Sequence, residues 1–114
     1  MITTPHIVWR NMARSEALEA RVLEGVAQLE ELYDRVTACR VALEAPHRHN
    51  HGEHFVVKIE LTVPGKVLVV ARDPKDNANA ADPFAAVGEA FDAMRRQLND
   101  YARIRRGEVK RHLA

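Results

Sequence analysis

Hydrophobic and polar residues change period along this chain, and each change marks an element. His6-Ile7-Val8-Trp9 is short, apolar and β-branched, which predicts a first strand ending near Arg10-Asn11. Leu18, Val22, Val26, Leu29 and Tyr33 then recur at intervals of three and four, with Leu32 beside them. That spacing lays one apolar stripe along a helix. Ser15 suits its N-cap, and Glu16 and Glu19 stand in the first turn, where the helix dipole favours carboxylates. The helix should run over about 15–33. Gly25 lies inside it at a cost of roughly 1 kcal/mol against alanine, which close packing on a sheet would explain.

From residue 37 the period drops to two. Cys39, Val41 and Leu43 fall on one side and Arg40, Ala42 and Glu44 on the other, as in a half-buried strand over 37–45. A polar turn with Asn50 and Gly52 leads into a second alternation over 54–63. There Val57, Ile59, Leu61 and Val63 point inward, and Lys58, Glu60 and Thr62 outward. Pro64-Gly65 is a tight-turn signal, and 66–72 completes an antiparallel meander. The outer strand positions read as polar, so only one face of the sheet needs cover.

Residues 73–81 form a loop rich in Asp, Asn and Pro. Asp82-Pro83 then opens a long helix, with aspartate as N-cap and proline at the first helical position. Phe84, Val87, Phe91, Met94, Leu98 and Tyr101 repeat alternately at three and four, and Gly107 ends the helix. The order β-α-β-β-β-α predicts an α+β fold, a four-stranded sheet with two helices packed on one face. The first two strands, joined through a helix, should be parallel if they are neighbours. The length suffices for one core and not two, which gives a single domain over 1–107 and a short C-terminal tail over 108–114.

Apolar residues make up 46% and charged residues 29%, a globular balance that excludes a disordered chain. The formal net charge is only +1, but it is unevenly placed. Residues 1–94 hold ten Lys/Arg and fourteen Asp/Glu, a net of −4; residues 95–114 hold seven and two, a net of +5. Such a basic end calls for a polyanionic partner, with RNA, DNA and acidic membrane as candidates. Cys39 is the single cysteine, so no intrachain disulfide can form, and its place in an apolar alternation reads as a buried thiol. Charges interrupt the first twenty residues, and no later stretch is long enough for a membrane span. A soluble, cytoplasmic protein is expected.

The second helix carries the strongest chemical signal. Arg95, Arg96, Arg103, Arg105 and Arg106 mostly fall off its apolar stripe, and Lys110 and Arg111 follow. A guanidinium can donate two hydrogen bonds to a phosphate at once, and neutralising phosphates releases counterions. The competing reading is a solvated helix face. The stretch Pro46 to His54 places His47, His49, His51 and His54 within eight residues, together with Arg48. It reads as a polar hairpin tip, as an RNA-contacting tip, or as a transition-metal site. No cysteine joins the histidines, so metal binding stays an alternative. No glycine-rich phosphate loop, nucleophile elbow or His-Glu-x-x-His is present. Trp9, Phe84, Phe91 and Tyr101 read as core residues. Neither an enzyme nor a cofactor is expected.

Three stretches, taken in order, resemble the ribosome hibernation-promoting factor family, which includes the ribosome-associated inhibitor RaiA and is also called the sigma-54 modulation protein family. The first is Arg10-Asn11-Met12 with Ser15-Glu16-Ala17-Leu18-Glu19-Ala20, running into Leu29 and Tyr33-Asp34-Arg35-Val36. The second pairs residues 39–44 with 55–65. The third is Asp82-Pro83-Phe84-Ala85-Ala86-Val87 with residues 90–98. The resemblance implies the same domain, similar in shape to double-stranded-RNA-binding modules. It also implies binding to small-subunit ribosomal RNA in the decoding channel, where messenger and transfer RNA are blocked in stationary phase or stress. It implies RNA contacts by Arg95, Arg96, Arg103, Arg105 and Arg106, with Lys58, Arg72 and Arg48 added from the adjoining strands and loops. Long members carry a further dimerisation domain. Only eight residues follow Arg106, so the short form is expected, one that pairs ribosomes only with a helper protein. A general double-stranded RNA binder and a metal-binding protein using the histidine cluster remain the alternatives.

Overall fold

The computed structural model describes residues 4–45, 55–72, 82–105 and 107. Its elements are β1 (His6–Arg10), α1 (Glu16–Leu32), β2 (Ala38–Glu44), β3 (Val56–Val63), β4 (Lys66–Arg72) and α2 (Pro83–Arg105). The caps act as their residue types predict. The Ser15 hydroxyl accepts the Leu18 N–H at 3.2 Å, and the Asp82 carboxylate accepts the Phe84 N–H at 2.9 Å. Each takes up an amide that the first helical turn leaves without a partner. Gly107 stands at φ +80 and donates its N–H to the Ile104 carbonyl at 3.0 Å, closing the end of α2 in a conformation suited to glycine.

The strands lie in the order β1-β2-β3-β4. The β1–β2 pair is parallel, with Val8 beside Ala42, as the helical crossover between them requires. β3 is antiparallel to both neighbours, with Val41 beside Ile59 and Ile59 beside Val70. Asn11 leaves β1 in the left-handed region at φ 58, and its amide donates to the Ala45 carbonyl at 3.2 Å. This bond ties the exits of β1 and β2 together.

Both helices cover one face of the sheet. Val41, Leu43, Val57, Ile59, Leu61 and Val70 from the strands meet Val22, Val26 and Leu29 of α1 and Val87, Phe91, Met94 and Leu98 of α2 in one buried cluster. Gly25 does more for helix–helix than for helix–sheet packing. A Cβ there would lie 2.7 Å from Cγ of Phe91, so the missing side chain is the space that the Phe91 ring occupies.

Two expectations fail. Phe84 begins the stripe of α2 but is 44% exposed, although Ala86 and Val87 of the same turn are buried. The uncovered face of the sheet is not polar throughout either. Val67 and Val69 of β4 are exposed on it, since β4 is apolar at both parities of its alternation.

The return of α2 sets the geometry of the molecule. β4 runs away from the Pro64-Gly65 turn and α2 comes back toward it. The Tyr101 hydroxyl donates to the Pro64 carbonyl at 2.5 Å, and the Gln97 amide donates to the Val69 carbonyl at 3.0 Å. These bonds hold the C-terminal half of α2 beside edge strand β4.

Candidate nucleic-acid interface

The four described arginines of α2 are all exposed, but they do not form one surface. Arg96 and Arg103 are seven residues apart, which places them two turns apart on the same side of the helix, away from the sheet. Arg95 leans toward α1. It donates to the Gln28 side-chain oxygen at 3.3 Å and to Asp92 at 2.5 Å. Arg105 follows Leu98 by seven and Tyr101 by four, so it continues the direction of the packing stripe. It is nevertheless exposed, in the last turn of the helix.

Arg103 pairs with Asp100 at 2.9 Å, as Arg95 does with Asp92, and both arginines remain about half exposed at 46% and 47%. Exposed pairs three residues apart are worth about 0–1 kcal/mol. Such a pair gives way readily to a phosphate that approaches with release of its counterions. Arg96 and Arg105 have no carboxylate partner among the described residues. They are the cations α2 offers without first breaking a bond.

The remaining candidates separate. Lys58 lies on the helix-free face of the sheet, 3.6 Å from Glu60, a carboxylate it shares with Arg40 at 3.5 Å. It therefore does not join the arginines of α2. Arg72 ends β4 beside Val57, but its side chain is outside the described part. Arg48, Arg106, Lys110 and Arg111 lie outside the described residues, as do His47, His49, His51 and His54. Among the described residues, no group of three or more His, Cys, Asp or Glu could hold a metal.

Sequence reasoning missed two cations that the topology brings to the end of α2. Lys66, first in β4, lines the same groove as Tyr101 and Arg105. Arg35, in the α1–β2 connection, is near enough to act electrostatically on the Tyr101 hydroxyl. The order of the elements holds the signal for both. The α1–β2 connection, the β3–β4 turn and the end of α2 must share one edge of the molecule once β4 and α2 run in opposite directions. Burial pushes the Tyr101 hydroxyl above its ordinary value, Arg105 pulls against that, and Tyr33 adds to the rise. Tyr33 meets the Tyr101 ring edge-on, with centroids 5.6 Å apart. Arg21 was also unmarked. It lies over Gly88 of α2, its Nη1 buried without a hydrogen bond and 3.5 Å from Glu24. Cys39 is no nucleophile: burial, with a smaller push from Glu30, raises its thiol to about 12.

Residues 6–106 match the family described as Sigma 54 modulation protein / S30EA ribosomal protein, and the chain belongs to that family. It is a family of ribosome-associated proteins and not of enzymes. A ribosome hibernation promotion factor of Deinococcus radiodurans is 28% identical over 92 residues, which cover 81% of this chain. The matched region is 45% of that relative, so this chain spans about half its length. Two solved structures share the fold. The N-terminal domain of Thermus thermophilus Protein Y has a TM-score of 0.65 at 22% identity, over 86% of this chain and 99% of that one. A ribosomal subunit interface protein of Coxiella burnetii has a TM-score of 0.71 at 13% identity, over 90% and 98%. No helix among the described residues is long and apolar enough to cross a membrane.

Proposed function

We propose that residues 1–107 act as one ribosome-binding domain that seats α2 on small-subunit ribosomal RNA in the decoding channel. Occupancy there excludes messenger and transfer RNA by volume alone, so no chemical step is required. The carrying observation is the exposure of Arg96 and Arg105, both unpaired among the described residues: Arg96 lies on the side of α2 turned away from the core, and Arg105 is exposed at the helix's last turn. Arg95 and Arg103 add to the contact after exchanging Asp92 and Asp100 for phosphate. Family membership supplies the ribosome as the polyanion. The role belongs to the cytoplasm and to stationary phase or stress, when idle ribosomes accumulate.

Co-sedimentation with purified small subunits across a salt series tests this. Binding should weaken steeply with salt, and Arg96→Glu with Arg105→Glu should abolish it in a protein of unchanged circular dichroism. Binding that ignores salt, or survives both reversals, refutes the assignment to α2.

A further inference from the structure

A groove of about 380 Å³ opens between the C-terminal half of α2 and the start of β4. Its size falls within the roughly 300–1,000 Å³ usual for small-ligand clefts. Leu68, Tyr101 and Ile104 give it an apolar lining, and Lys66 and Arg105 are its cations. Ile104 is 44% exposed, an isoleucine left in water at this one position of the groove.

Three side chains that could collapse into the groove are held elsewhere. The Tyr101 hydroxyl is bound to the Pro64 carbonyl. Gln97 has its amide on the Val69 carbonyl, which leaves its own oxygen able to accept. Asp100, the acidic member of the lining, is drawn to Arg103. The cleft is thus preformed, with a greasy floor and two cations that have no carboxylate partner among the described residues.

An apolar floor beside cations matches a base with its phosphate, whereas a duplex presents phosphates with its bases stacked inside. The chain's own residues 108–114 carry Lys110 and Arg111 against Glu108, the wrong sign for this cleft. We propose that the α2–β4 groove holds one unpaired nucleotide of an RNA strand, its base on Ile104 and Leu68 and its phosphate between Lys66 and Arg105. The inference rests on the RNA-binding reading of α2 and adds that the contact selects an unstacked base.

Fluorescence anisotropy with a short labelled single-stranded RNA, the blunt duplex of the same sequence, and adenosine monophosphate as competitor tests the groove. The single strand should bind tighter than the duplex by roughly fivefold or more, the scale of one stacked base. Ile104→Asp should erase that preference, and Lys66→Gln with Arg105→Gln should weaken the single strand. These positions are exposed, and circular dichroism checks the fold. Equal affinity for both RNAs, or a preference that survives Ile104→Asp, overturns the proposal. Adenosine monophosphate competing as well as the strand would make the occupant a free nucleotide and overturn it too. Co-sedimentation of the same proteins with small subunits separates the two readings. Ribosome binding without single-strand preference sinks only the groove, and single-strand preference without ribosome binding sinks only the ribosome.

Discussion

Gly25 shows how much one missing side chain decides. Alanine there would gain about 1 kcal/mol of helix propensity. Its Cβ would also stand 2.7 to 2.9 Å from three atoms of the buried Phe91 ring, closer than such atoms approach. Overpacking of this kind costs typically 1–3 kcal/mol. The clash outweighs the propensity, so Gly25→Ala should lower stability in urea, and Phe91→Leu should cost less in that background than in the native one. A variant as stable as the parent would show that the helices simply move apart. Cys39 gives a second test at this scale. With its thiol held up at about 12 against an ordinary 9.0, both folded and unfolded states keep the proton below pH 9. Above pH 9 the unfolded state loses it and the folded state does not, so stability falls as pH rises, by up to about 1.4 kcal/mol per unit. The stability advantage of the native protein over Cys39→Ala should therefore shrink from pH 9 upward. An advantage that stays level to pH 10.5 would mean the thiol is solvated.

At the scale of elements, the pattern of residues said which side of each helix and strand is apolar, and it could not say whether a neighbour reaches that side. The two capped helices and the β2–β3 alternation were legible because their signals are local. Ser15 and Asp82 each need only the amides of the next turn. Phe84 broke the reading: its period is right, yet it is exposed while Ala86 and Val87 beside it are buried. Arg105 departs in the opposite sense, a charge on the apolar direction of α2 that is exposed at the helix's last turn. Val67 and Val69 overturn the expectation that the outer strand positions are polar, because β4 is apolar at both parities of its alternation. The candidate site was legible as a basic helix and illegible as a surface. Arg35, Lys66 and Arg105 come from three segments, and only the folded order of the chain gathers them.

At the scale of the whole molecule the sheet divides the cations. Arg96 and Arg103 face outward from the helical layer, while Lys58 and Arg40 lie on the other side and share Glu60. A rigid polyanion that seats α2 cannot at the same time reach a helix-free face turned away from it. Removing one phosphate contact lowers the slope of log affinity against log salt by about 1. Arg96→Gln should show that loss in small-subunit binding. Lys58→Gln should leave both slope and affinity unchanged, because its charge lies on the helix-free face, away from an RNA seated on α2. Neutral glutamine is the better substitution, since it removes a contact without setting a new repulsion beside the RNA. Measured side by side, the two variants report orientation rather than mere charge. If Lys58→Gln loses as much slope as Arg96→Gln, the RNA wraps both faces of the domain. If neither loses any, Arg96 is not part of the grip, and Arg105, then Arg48, Arg106, Lys110 and Arg111, become the positions to neutralise next.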